Sequence, residues 1–341
     1  MIPGDSDKLL FFFEGGGVCW NKASTEADGV CTHDIYLQPL VGVFDRANPK
    51  NRFRDYTIVH ILYCSGDFHS GNVVRPYNDK AGQPITQVGL NNVRSAINWV
   101  NDQIKLGLLS DTFTDLAIMG CSAGAIASQI WSNQLMKEFK WKKAGIVPDS
   151  CVGVFPADAF AQIMYDVNFC ASGFLSPELA MKCYNKMLTL KDLNLESMAN
   201  HPDVSFSFIE SKVDDVQWSF YTLLALTYDP HALVMTPSDF YNRTTELFSE
   251  YNAARKNFVT YLIDGPQHCY TTYDLHFTAD PQGAKDNGDK SNAIMLSDWL
   301  NKVPLSGGES ISSQCEGNKF HLGVTYCSNE VVPKTYTKPS V

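Results

Sequence analysis

Gly120-Cys121-Ser122-Ala123-Gly124 sets a serine hydroxyl among small residues in a G-x-S-x-G pattern. The apolar run Leu116 to Met119 precedes it, and Ile126, Ile130, Trp131 and Leu135 follow it at helical spacing. In a strand–turn–helix setting of this kind small neighbours let the chain bend sharply, so that the hydroxyl stands exposed at the strand's end. A serine hydroxyl is a weak nucleophile at its own pKa. It needs a neighbouring base, usually a histidine, oriented by a carboxylate.

Where such a serine ends a parallel strand, the acid and then the base follow it along the chain. Of the eight histidines, His268 has the best setting, because it follows the apolar run Phe258 to Ile263 and the turn Asp264-Gly265-Pro266-Gln267. His276 comes next, and His201, His231 and His321 also lie downstream. For the acid, Asp214 and Asp215 stand just beyond the run Val204 to Ile209, and Asp158 is a third candidate; a loop cap would use the same residue type at each place.

A tetrahedral intermediate also needs N–H donors for its oxyanion, typically from a glycine-rich loop and from the residue after the nucleophile. Glu14-Gly15-Gly16-Gly17-Val18-Cys19-Trp20 directly follows the apolar run Leu9 to Phe13. Three glycines let the backbone approach a ligand with no Cβ in the way. A phosphate cradle is the rival, but no G-K-[ST] follows and Glu14 would repel phosphate. The oxyanion reading takes the Ala123 N–H as the second donor.

The elements that must hold these residues are short, near-continuously apolar runs: Leu9 to Phe13, Tyr56 to Leu62, Leu116 to Met119, Cys151 to Phe155, Val204 to Ile209 and Phe258 to Ile263. Runs of this kind fit strands buried on both faces of a mostly parallel sheet. Helical patterns alternate with them, as in Val93, Ala96, Ile97, Val100 and Ile104 behind an Asn91 or Asn92 cap. The fold class expected is therefore α/β, with a mostly parallel central sheet and helices on both faces. One domain is expected over residues 1–341, with a helical insertion or lid over 161–202 and a loop-rich, disulfide-stapled tail over 305–341.

The chain has 341 residues, 44% of them hydrophobic and 19% charged, which excludes a largely disordered chain. Its net charge of -10 argues against nucleic acid as a partner, since a phosphate backbone is held mainly by Lys and Arg. No apolar run approaches the ~20 residues that a membrane-spanning helix needs. None of the ten cysteines forms a C-x-x-C pair. Cys19 with Cys31, Cys170 with Cys183, and Cys315 with Cys327 bracket short stretches and suit disulfides of an oxidising compartment, whereas Cys64 and Cys121 read as buried free thiols. No charged n-region precedes Leu9, so any signal peptide is expected to have been removed.

Together Phe11-Phe12-Phe13-Glu14-Gly15-Gly16-Gly17-Val18-Cys19-Trp20, Tyr63-Cys64-Ser65-Gly66-Asp67, Gly120-Cys121-Ser122-Ala123-Gly124 and Gln267-His268-Cys269 resemble the pectin acetylesterase/Notum family of serine hydrolases, in family order. Departures are Val18, where plant members carry an aromatic residue, and Ala125, where a third glycine is usual. The resemblance implies an α/β-hydrolase-like fold with Ser122 as nucleophile, His268 as base and Gly16, Gly17 and Ala123 as oxyanion donors. It selects Asp214, three residues before Gln217, as the acid. It further implies a secreted carboxylic ester hydrolase that requires no metal or organic cofactor, with an O-acetylated polysaccharide as substrate. Competing expectations are an esterase on longer acyl or simple alkyl and aryl esters, and a catalytically silent glycan- or lipid-binding protein on the same scaffold.

Overall fold

Alternating side chains of the first strand enter two different cores. Leu9, Phe11 and Phe13 pack into one apolar cluster, and Leu10 and Phe12 into another across the sheet. A strand has a side-chain period of two, so a strand with both faces covered has to be apolar throughout. The computed structural model describes residues 1–35, 39–279, 294–304 and 310–315, and the backbone alone over 335–337.

Seven strands form the central sheet: β1 (Asp5–Phe13), β2 (Tyr56–Ile61), β3 (Asp115–Cys121), β4 (Ala144–Asp149), β5 (Ser205–Ser211), β6 (Phe258–Ile263) and β7 (Gln314–Cys315). Their order is β7-β6-β5-β4-β3-β1-β2, and every neighbouring pair is parallel. The chain runs outward from β1 to β2 and then returns to β3 on the other side of β1. That reversal opens a crevice at the carboxyl ends of β1 and β3, where ligands bind in sheets of this type. The glycine loop leaves β1 there, and Ser122 leaves β3.

Helix α1 (Gly89–Lys105) and helix α2 (Ala123–Glu138) cover the Leu9 face through Val93, Ile97, Ile126 and Ile130. The Leu10 face is covered by Val43, Phe44 and Phe53 from two short 3-10 turns and by Trp299 of the helix Leu296–Leu300. Between β4 and β5 lie α3 (Ala159–Asp166), α4 (Pro177–Tyr184) and α5 (Leu190–Asn200), with Cys170 bonded to Cys183. Ser176 caps α4 ahead of Pro177, and Thr189 and Asp192 form a capping box at the start of α5. Asn194 of α5 donates to Gln129 of α2 at 2.7 Å, which fixes this segment to the helix that follows Ser122. The helix α6 (Asp215–Tyr228) and the helix α7 (Pro237–Ala254) separate β5 from β6. Among the described residues no helix is long and apolar enough to cross a membrane.

Two expectations fail. Cys151 to Phe155 is not a strand; the strand is Ala144–Asp149, whose apolar pattern is interrupted by Gly145 and Pro148. Helix α1 begins at Gly89 with Val88 as an N-cap that makes no side-chain bond, not at Asn91 or Asn92. Asn91 donates instead to Oδ1 of Asn72 at 3.0 Å. Most of the stretch 305–341, with Cys327 and His321, lies outside the described residues.

His276 lies in the short helix Leu275–Thr278, fully buried, edge-on to Phe277, and among the described residues neither of its ring nitrogens has a hydrogen-bond partner. Burial lowers its pKa from 6.5 to about 4. The unfolded state then binds more protons than the folded one between those values, so this histidine withdraws stability as pH falls through that window. Buried Asp67 and Asp149 are shifted upward and act in the opposite sense, so a substitution is needed to isolate the imidazole. In urea unfolding, His276→Leu is expected to gain about 2 kcal/mol on the wild type between about pH 7.5 and about pH 5. A stability difference that does not change with pH would show that burial does not suppress protonation here.

Candidate active site

Ser122 sits between β3 and α2 with φ 59° and ψ −124°, a backbone state that costs a non-glycine residue about 1–3 kcal/mol. Its N–H donates to the carbonyl of Asp149 at 3.0 Å. The flanking glycines answer a packing demand. A Cβ on Gly124 would stand 2.0 Å from the carbonyl oxygen of Phe13, and one on Gly120 would stand 2.1 Å from that of Gly124. The turn therefore presses directly on the end of β1, which is why the serine and the glycine loop share one corner of the sheet.

In that loop Glu14 is buried and accepts the Tyr63 N–H at 2.8 Å, while its carbonyl takes a hydrogen bond from His69 Nε2 at 2.8 Å. The Cys19–Cys31 disulfide and the bonds Val18 N–H to Val30 and Thr32 N–H to Gly16 close the loop from outside. Gly17 has φ 72°, and a Cβ there would lie 2.0 Å from the Val30 carbonyl. Among the described residues no acceptor takes the N–H of Gly16 or Gly17. Ala123 opens α2, where the N–H groups have no intrahelical acceptor.

Asp214 is the N-cap of α6 and is fully buried. Its Oδ1 accepts the Gln217 N–H at 2.9 Å, and its Oδ2 accepts from His268 Nδ1 at 2.7 Å and from Gln217 Nε2 at 2.9 Å. His268 stands in the loop beyond β6, and among the described residues its Nε2 has no hydrogen-bond partner. Asp215 is exposed, with its N–H bonded to the Pro266 carbonyl, and Asp158 flanks α3 in a left-handed conformation with no capping bond. Ser122 and His268 line a common pocket of about 60 Å³ with Gly17, Ala123, Gln217 and an apolar wall that includes Val154, Phe155, Phe220 and Leu224. Val154 and Phe155 belong to the run expected as a strand; they face a cavity instead of a neighbouring strand.

Two features of this corner are invisible in the spacing of the residues. Cys121, expected to be a free thiol, is disulfide-bonded to Cys269, 148 residues along the chain, with Cα atoms 5.8 Å apart. Cys64 is free, as expected, and so is Cys151. The second is Asp149, at the end of β4 and fully buried. Its Oδ2 accepts the N–H groups of Tyr270 and Thr271 at 2.9 and 2.7 Å and the Thr271 hydroxyl at 2.6 Å, and its Oδ1 accepts the Ser150 hydroxyl at 2.9 Å. Burial pushes the Asp149 pKa up, while the bonds from Thr271, Tyr270 and Ser150 pull it back. Cys19, Cys31 and His33 cluster closely enough for a metal, but the two sulfurs are joined as a disulfide and offer no thiolate.

A family model described as Pectinacetylesterase matches residues 4–158, a span that holds the glycine loop and Ser122 but ends before Asp214 and His268. The palmitoleoyl-protein carboxylesterase NOTUM of Schmidtea mediterranea is 29% identical over 148 residues, 40% of this chain and 26% of that protein. The chain thus spans about a quarter of the length of the curated relative it matches. The crystal structure of the Wnt deacylase Notum from Drosophila aligns with a TM-score of 0.50 and 15% identity, over 80% of each chain. The chain is similar to the pectin acetylesterase/Notum family in sequence, and its fold is α/β-hydrolase-like, a mostly parallel sheet with covering helices.

The covalent tie across this corner closes a long loop, and removing it relaxes the unfolded chain. The double variant Cys121→Ala, Cys269→Ala is expected to lose about 3–5 kcal/mol in denaturant unfolding. A loss below about 1 kcal/mol would mean that the hydrogen bonds of Asp149 suffice to hold the two segments together.

Proposed function

We propose that the protein is a secreted serine carboxylic ester hydrolase in which Ser122, His268 and Asp214 form the reacting centre. The observation that carries this reading is the 2.7 Å bond from His268 Nδ1 to buried Asp214, on a histidine whose free Nε2 belongs to the same pocket as Ser122. With Nδ1 committed to the carboxylate, Nε2 is the lone-pair nitrogen, the tautomer that a general base requires. Ser122 Oγ gives its proton to Nε2 as it attacks the ester carbonyl. Asp214 stabilises the imidazolium that forms, and the N–H groups of Gly16, Gly17 and Ala123 donate to the oxyanion. The imidazolium then protonates the departing alkoxide, leaving an acyl-enzyme. Water attacks that ester by the same route in reverse and releases a carboxylate. In the resting structure the hydroxyl of Ser122 is not bonded to Nε2, a common state before substrate binds.

The pocket bears on the acyl group. A cavity of about 150 Å³ takes a benzene ring, and this one is less than half that size, with an apolar wall. Acetyl and similarly short acyl groups fit it, so the substrate favoured here is an O-acetylated polysaccharide, in keeping with the pectinacetylesterase match. The NOTUM relative is named for a much longer acyl chain, which makes chain length the discriminating measurement. The three disulfides among the described residues, Cys19–Cys31, Cys121–Cys269 and Cys170–Cys183, suit an oxidising, extracellular setting.

With p-nitrophenyl esters, kcat/KM is expected to fall at least about tenfold from butyrate to octanoate. Ser122→Ala should lower kcat on the acetate by about 10³-fold or more. Full turnover in that variant would discard the mechanism, and a rate that rises toward palmitate would replace the short-acyl reading with a long-chain one.

A further inference from the structure

Glu210, the next-to-last residue of β5, is fully buried and has no part in the chemistry above. Its Oε1 accepts the Ser211 N–H at 2.9 Å. Both of its carboxyl oxygens also lie within reach of Gln217 Nε2, at 2.8 and 2.9 Å. That same nitrogen donates to Asp214 Oδ2 at 2.9 Å, the oxygen that receives His268 Nδ1. An amide nitrogen carries two hydrogens, so one serves Glu210 and the other serves Asp214. Gln217 Oε1 in turn accepts the Val152 N–H at 3.2 Å. The Gln217 amide is thereby fixed from three sides. Two buried carboxyl groups share it, and only one of them touches the imidazole.

Without the Glu210 oxygens, one Gln217 N–H would lie buried and unpaired, or the amide would rotate. Either change disturbs the oxygen on which His268 depends. We propose that Glu210 is a positioning residue for the Ser122–His268–Asp214 centre, acting through the Gln217 amide to hold Asp214 Oδ2 against His268 Nδ1; this rests on the proposed reading of those three as the reacting groups. Burial, and then the charge of Asp214, hold the Glu210 carboxyl well above the usual carboxylic range. It keeps its proton to higher pH than an ordinary glutamic acid and can accept both N–H bonds without setting a second anion beside the centre. Asp149, Cys151 and Tyr270 are the other titratable groups whose charge couples to this position, and nearby Lys212 is paired with Asp264 at 3.0 Å.

The test uses kcat and KM on p-nitrophenyl acetate together with the far-downfield proton resonance of the His268–Asp214 hydrogen bond. Glu210→Ala should lower kcat about tenfold, leave KM within about twofold and displace that resonance. Glu210→Gln, whose amide oxygen still accepts one N–H from Gln217, should recover kcat to within about threefold together with the resonance. A Glu210→Ala enzyme with kcat within about twofold of wild type, or with a lowered kcat and an undisturbed resonance, overturns the proposal. If Glu210→Ala does not fold, Gln217→Leu removes the bridge instead: a displaced resonance with kcat about tenfold lower supports the proposal, and wild-type kcat overturns it. Ser122→Ala separates the two failures. Turnover persisting there removes the reading of the site and this proposal with it, whereas its loss beside an unaffected Glu210→Ala enzyme removes this proposal alone.

Discussion

The whole site depends on holding the turn after β3 and the loop after β6 against each other, although β4 and β5 stand between those strands in the sheet. One bond is covalent: Cys121, just before Ser122, joins Cys269, just after His268. The other runs through Asp149, which ends the strand next to β3. Its carbonyl accepts the Ser122 N–H, and its carboxylate gathers the N–H groups that follow Cys269 in the loop. A carboxylate taken out of water is expensive unless every lone pair finds a donor, and here four donors converge on two oxygens. The cost of burial and the precision of the site are the same interaction seen from two sides.

The rest of the corner follows from the topology. Because the chain steps back past β1 to form β3, the loops leaving both strands meet at their carboxyl ends. They meet closely enough that backbone carbonyls fill the space where side chains would project, and this selects glycine at 120 and 124. The helix α2 starts at once after Ser122, so its first N–H groups and those of the glycine loop reach the same cavity. Position and electrostatics therefore have one origin, the crossing of two chain segments at the end of a parallel sheet.

How much of this could be read in advance depends on the range of the interaction. The run Phe258 to Ile263 coincides with β6, and Leu9 to Phe13 is the buried part of β1, because burial on both faces leaves a continuous apolar signature. The turn at Ser122 and the short-range pairs Cys19–Cys31 and Cys170–Cys183 were equally legible, since local spacing carries them, whereas chain order left Asp214, Asp215 and Asp158 open as partners of His268 and only the family resemblance selected Asp214. Strand β4 was not, because Gly145 and Pro148 break its pattern while the nearby Cys151 to Phe155 imitates a strand. Cys121–Cys269 and Asp149 lay beyond reach because each acts across distant chain, and Glu210, whose partners Ser211 and Gln217 are near in sequence, because a buried carboxyl group looks in sequence like any solvated one.

Several unfavourable terms of this fold are gathered in one place. A strained serine at the end of β3 and buried carboxyl groups at the ends of β4 and β5 and just beyond all stand at the carboxyl edge of the sheet. The apolar residues beneath them form two continuous clusters, one on each face. Such an arrangement follows from what acyl transfer would demand. In the proposed reaction a cation forms on His268 and vanishes afterwards, so the surroundings have to be polarised before the substrate arrives. Fixed, buried carboxyl groups and free N–H groups provide that, and they hold their orientation only if the strands bearing them cannot shift. The apolar clusters thus supply stability and also rigidity, and the strain at the edge is tolerable because the sheet below it has nowhere to relax.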